Sequence, residues 1–81
     1  MAELARELAD VCQRVDDQEY GRRPVPSYAD DKKRLRQIGE VANTRGGFGE
    51  MMRLARAATV HYRNVGNTVN VHWSGIGDWQ A

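Results

Sequence analysis

Residues 42–57, ANTRGGFGEMMRLARA, hold three glycines within four positions, directly before a run with helical character. A phosphate-binding loop would need a strand before the glycines and a Lys-Ser/Thr pair after them. Here the preceding residues have a helical pattern, and Glu50 and Met51 follow the glycines. The glycines are therefore predicted to form a corner between two helices, with Gly46 or Gly47 in the left-handed conformation that ends a helix.

Upstream of this corner, the sequence predicts a helix that begins after Ser27, a typical N-cap residue, and runs to about Asn43. Its apolar stripe consists of Tyr28, Leu35, Ile38 and Ala42. Gly39 lies inside this helix and costs about 1 kcal/mol relative to alanine. Such a cost indicates that a neighbouring element packs closely against Gly39.

Another helix is predicted over residues 3–19, because apolar residues recur there at helical spacing. The stripe is formed by Leu4, Leu8, Val11 and Val15, with Ala5 and Cys12 beside it. Pro24 and Pro26 keep the residues before them out of the helical conformation. Residues 21–27 are therefore expected to form an extended linker.

After the corner, a third helix is predicted to begin near Phe48 or Gly49, with an apolar stripe that consists of Phe48, Met51/Met52, Ala55, Ala58/Thr59 and Tyr62. Residues 58–73 leave two interpretations open. One is a β-hairpin with a turn at Gly66-Asn67 and alternating apolar residues after it. The other is the end of the third helix followed by a short fourth helix capped by Thr68, on which Val69, Trp73 and Ile76 share a face. Helical spacing from Met51 to Tyr62 favours the second interpretation.

The predicted fold is therefore all-α, a small bundle of three main helices plus a short C-terminal helix, within a single domain over residues 1–81. The alternative is an α+β fold with a C-terminal β-hairpin at about 58–73. With 81 residues, 41% apolar and 28% charged, the chain has the composition of a small globular domain. It contains no apolar run of about 20 residues that could span a bilayer.

Several features of composition suggest a compartment and an origin. A single cysteine, Cys12, excludes an internal disulfide, and the charged N-terminus lacks the apolar stretch of a signal peptide. We therefore expect a cytoplasmic protein. Ten Arg against two Lys is typical of a GC-rich coding sequence, which suggests a bacterial or phage source.

The net charge of +1 conceals an uneven distribution along the chain. Residues 1–31 carry four Arg against eight Asp or Glu, a balance of −4, whereas residues 32–42 have a balance of +3 and residues 43–81 a balance of +2. Such asymmetry indicates either pairing within the molecule or a charged partner.

Candidate catalytic and metal-binding residues are few. His61 and His72 are eleven positions apart, with no second ligand at the spacing of a metal site. Cys12 borders an apolar stripe, as an inert buried thiol does. Ser27 is placed as a cap, and Ser74 lies in no nucleophile pattern. The sequence therefore predicts no catalytic residue, no metal, no cofactor and no small-molecule substrate.

The favoured function is a protein-binding module, because Trp, Tyr and Arg most often anchor protein interfaces. Trp73 is expected to seal the open end of the bundle. For Trp79, sealing the bundle and facing a partner are both considered. The partner is another protein or a second copy of the chain in a homodimer, without membrane contact. The predicted partner-binding residues are Trp73, Ile76, Trp79, Arg53 and Arg56.

Nucleic-acid binding is the alternative function. The corner and its flanking helices suggest a helix-turn-helix only faintly, because the glycine-rich turn is loosely specified. A net charge of +1 is also far from the basic balance of a dedicated DNA-binding domain. An arginine-rich face on the second and third helices would then make the contacts, through Arg34, Arg36, Arg45, Arg53, Arg56 and Arg63.

Overall fold

The structure, a computed structural model, describes residues 2–79. This range contains three helices, α1 (Ala2–Glu19), α2 (Tyr28–Thr59) and α3 (Val65–His72), and no strand. The predicted all-α bundle is confirmed, and the alternative hairpin at 58–73 is wrong. A hairpin would bury alternate residues, yet Val71 is 69% exposed. Val65, Val69 and Trp73 are instead buried at a spacing of four, which places them on one helical face.

The predicted corner lies inside α2, where Gly46 (φ −173°, ψ 21°) and Gly47 (φ 65°, ψ −152°) leave the helical conformation. The positive φ of Gly47 is readily reached only by glycine, although its ψ is not that of the left-handed helical conformation predicted. The corner divides α2 into a first arm, residues 28–45, and a second arm, residues 48–59. The arms correspond to the predicted second and third helices.

Apolar stripes from all three helices form one core. The predicted stripe of α1 is buried, with Leu4 only partly covered. On the second arm the buried face consists of Met51, Leu54, Ala55 and Ala58. Leu54 was not part of the predicted stripe, and Phe48, which was, is 43% exposed. The buried face begins one turn later than predicted, because Phe48 lies directly after the corner.

Two ion pairs join α1 to the first arm of α2. The Arg14 guanidinium donates to both carboxylate oxygens of Asp31, at 3.0 and 3.1 Å, and Arg34 donates to both oxygens of Glu7, at 2.6 and 2.8 Å. The hydrogen bonds from Arg34 lower the pKa of Glu7. Ser27 occupies the predicted cap position, but its hydroxyl donates to the Asp31 side chain and accepts no hydrogen bond from the backbone N–H groups of the helix.

Trp73 joins α3 to the first arm. Its side chain is fully buried, and its Nε1–H donates to the carbonyl oxygen of Leu35 at 2.9 Å. The indole lies so close to Gly39 that a Cβ placed there would be 2.7 Å from Trp73 Nε1. The close packing predicted at Gly39 is therefore confirmed, and its cause is the Trp73 ring.

Gly39→Ala is expected to destabilise the protein by about 1–3 kcal/mol, although alanine is the better helix former. The new methyl group would displace the Trp73 ring and weaken its hydrogen bond to Leu35. Gly49→Ala is the matched control, because a Cβ at Gly49 meets nothing within 4 Å. Urea unfolding monitored by circular dichroism measures both variants. Equal stability of the two would contradict the packing of Trp73 on Gly39.

Candidate functional site

The segment after α3 folds back in tight turns at Gly75 and Gly77, which have φ values of 89° and 53°. The Ile76 amide donates to the Trp73 carbonyl and the Trp79 amide to the Ile76 carbonyl, each at 3.0 Å. These turns bring the Trp79 ring edge-on to Trp73, with centroids 5.1 Å apart and planes at 80°.

A groove of about 300 Å³ lies between the second arm of α2 and α3, with Trp79 among its walls. We call it the α2–α3 groove. Phe48 extends the apolar surface beside it, with its ring centroid 5.2 Å from that of Trp79. Most of the lining is apolar, and one lining residue is charged. The lining residues are Met52, Ala55, Arg56, Thr59, Gly66, Val69, Asn70 and Trp79.

The polar side chains of the groove differ in whether they have a hydrogen-bond partner within residues 2–79. Arg56 is exposed and forms no ion pair or side-chain hydrogen bond within residues 2–79. Trp79 Nε1 is buried and has no acceptor in the same range. The Thr59 hydroxyl, by contrast, donates to the Ala55 carbonyl of its own helix. Arg56 and the Trp79 Nε1–H therefore have no acceptor within residues 2–79.

A buried carboxylate holds α3 in position as one wall of this groove. Asp16 of α1 is 1% exposed and accepts hydrogen bonds from Tyr62 at 2.5 Å, from Asn64 at 2.9 Å and from Thr68 at 2.9 Å. Burial and the hydrogen bond to Asp16 raise the pKa of Tyr62, so its hydroxyl stays protonated and donating. The prediction that Thr68 caps α3 is wrong: Asn64 is the N-cap, and Thr68 lies inside the helix.

The structure separates the five predicted partner-binding residues into core and surface. Trp73, Ile76 and Trp79 are 0%, 6% and 4% exposed, so the apolar members are packed within the monomer. Arg53 is exposed and pairs with Glu50 three residues earlier. Of the five, Trp79 and Arg56 line the α2–α3 groove. Trp73 has no exposed surface and cannot contact a partner unless the fold opens, and the binding role of the five residues stays a prediction.

Several groove residues were missed by sequence reasoning. Gly66, Val69 and Asn70 belong to the N-terminal two turns of α3, whose helical form was left open between two interpretations. Met52 was assigned to the apolar stripe of its helix, yet it is only partly buried. Once α3 is accepted as a helix, the spacing of residues 66, 69 and 70 places them on one face, and that signal was available.

The six arginines predicted to bind nucleic acid differ in their contacts and in their positions on the surface. Arg36 donates to the carbonyl oxygens of His72 and Ser74 and so caps the C-terminus of α3. Arg34 is held by Glu7, as Arg53 is by Glu50. Arg34 and Arg45 share a depression of about 420 Å³ on α2, separate from the groove that Arg56 lines, and Arg63 lies between α2 and α3. Nucleic-acid binding by this set stays a prediction.

The reactive side chains give no catalytic cluster within residues 2–79. Burial raises the pKa of the Cys12 thiol, which disfavours the nucleophilic thiolate. His72 lies 3.3 Å from a carboxylate oxygen of Glu19, and His61 is exposed. No group of three or more His, Cys, Asp or Glu in this range is arranged to hold a metal ion. Nor is any described helix both long and apolar enough to cross a membrane.

Comparison of the chain with protein families, with curated proteins and with solved structures gave no match.

Asp16→Ala is expected to lower the free energy of unfolding by about 2–4 kcal/mol, because Thr68, Tyr62 and Asn64 would lose their common acceptor. Asp10→Ala is the matched control, since Asp10 is an exposed residue of the same helix. Urea unfolding measures both changes. A loss as small as that of the control would show that Asp16 does not hold α3 in place.

Proposed function

We propose that this chain is a non-enzymatic protein-binding module or regulator of the bacterial or phage cytoplasm, and that the α2–α3 groove is its contact surface. The observation that carries the proposal is an apolar groove whose one charged lining residue, Arg56, has no ion pair within residues 2–79. The Arg-rich, Lys-poor composition and single buried cysteine support the origin and compartment.

The residue types of the groove support protein recognition. Aromatic residues, Met and Arg are enriched in protein interfaces, and Met adapts its shape to different occupants. Met52 and Trp79 line the groove with Arg56, and the half-exposed Phe48 packs against Trp79 beside it. This combination provides an apolar centre with a charged edge, as in interfaces that depend on a few anchor residues.

The size of the groove supports a protein partner over a small-molecule substrate. Its volume of about 300 Å³ is at the lower limit of ligand pockets, and it is open to solvent along one side. Such a space holds one or two side chains of a partner. A stable interface covers about 800 Å² on each side, so the contact must continue onto surface beyond the groove.

A non-enzymatic role is supported by how the chain uses its reactive groups. The Cys12 thiol is packed in the core, and the Ser27 hydroxyl donates to Asp31. The buried Asp16 carboxylate serves as the acceptor for three donors around α3. Each of these groups already has a structural partner or a packed environment that explains its presence.

Affinity capture from native lysate tests the proposal with two variants of the groove. Gly66→Leu places a side chain into the groove from a position at which a Cβ meets nothing within 4 Å. Arg56→Glu reverses the charge at its edge. Both are expected to reduce capture of a specific protein by at least about tenfold, the effect of losing one interface anchor.

Gly49→Leu is the matched control, because Gly49 is also an exposed helical glycine with free space around it but does not line the groove. It should capture the partner as the unchanged chain does, and circular dichroism should show all three variants folded. Equal capture by the groove variants and the control would refute the groove as the contact surface. Loss of capture after nuclease treatment would favour the nucleic-acid alternative.

A further inference from the structure

We infer that the partner segment seated in the α2–α3 groove is acidic, an inference that rests on the proposed function. The segment places an apolar side chain in the groove beside Met52 and a carboxylate against Arg56. This assignment names the chemistry that the groove recognises, and it follows from the charges and hydrogen-bond donors of the lining residues.

The charge of the groove comes from Arg56 alone. Within residues 2–79, no carboxylate lines the groove and Arg56 forms no ion pair. The neighbouring Arg53 shows the contrast, since it pairs with Glu50. A guanidinium matches the two oxygens of a carboxylate, and it binds that group more strongly than a neutral acceptor.

Unused donors point to the same kind of occupant. Both tryptophans are buried, but Trp73 Nε1 donates to the Leu35 carbonyl, whereas Trp79 Nε1 has no acceptor within residues 2–79. Buried donors are nearly always paired in folded proteins. Trp79 lines the groove. An acidic occupant would supply oxygen acceptors beside Trp79 as well as beside the exposed Arg56.

Basic and neutral segments fit the groove less well. A basic side chain beside Arg56 would be repelled, and residues 43–81 around it already have a charge balance of +2. A neutral apolar segment would cover Arg56 and remove its water without providing a counter-charge, which opposes binding. A carboxylate next to an apolar side chain avoids both costs.

NMR titration of the ¹⁵N-labelled full chain tests this inference with two small probes, 4-phenylbutyrate and its neutral amide, 4-phenylbutyramide. Both should shift the amide signals of Gly66 and Val69 and the Trp79 Nε1–H signal. The carboxylate probe should bind at least about fivefold more tightly than the amide, which corresponds to replacing a neutral hydrogen bond with a charge-assisted one.

Arg56→Gln should remove the difference between the two probes, because it weakens binding of 4-phenylbutyrate more than binding of 4-phenylbutyramide. Arg63→Gln is the matched control, because it removes the same charge from an exposed arginine that does not line the groove. This control should preserve the preference for the carboxylate.

Equal binding of the two probes in the groove would overturn the acidic assignment while leaving a protein-binding groove intact. Carboxylate-dependent shifts around Arg34 and Arg45, or no shift in the groove at all, would also overturn it. Shifts confined to the groove on raising the protein concentration without probe would identify a second copy of the chain as the occupant, and would likewise overturn it. The proposed function fails by a different result, namely equal lysate capture by groove variants and control.

Discussion

The packing of the Trp73 indole on Gly39 is the contact on which the C-terminal third of the molecule depends. Helix α3 has only eight residues, which is too short for a stable isolated helix in water. It is stable here because Trp73 inserts between α3 and the first arm of α2 and donates its Nε1–H to Leu35. The same ring supports Trp79 edge-on, so the position of the α2–α3 groove follows from this contact.

A second attachment, of a different chemical kind, holds the other end of α3. Asp16 collects three donors from the connection after α2 and from α3 itself, and in doing so aligns the helix with α1. An apolar contact at one end and a buried carboxylate at the other define the direction of α3 over the second arm. In a chain of 81 residues, where the core is small, these two attachments leave one side of the second arm open as a groove.

The sequence predicted the features that depend on residues close together along the chain. Helical spacing identified α1, and the glycines identified the corner of α2, because each signal lies within a few positions of the chain. Gly39 also indicated close packing, although not the identity of the neighbour. The groove could not be derived in this way, since Met52 and Trp79 meet only after the chain turns back. From the sequence alone Thr68 resembles a helix cap. In the structure its hydroxyl donates a hydrogen bond to Asp16, which lies 52 positions earlier in the chain.

The central claim, that Trp73 fastens α3 and the turns after it to α2, is tested most directly by hydrogen exchange of the Trp73 indole N–H. This proton is bonded to the Leu35 carbonyl within a fully buried side chain. NMR in D₂O should therefore show it exchanging only through global unfolding, with a protection free energy equal to that of the most protected amides in α1 and α2. Exchange as fast as in an exposed indole would contradict the account.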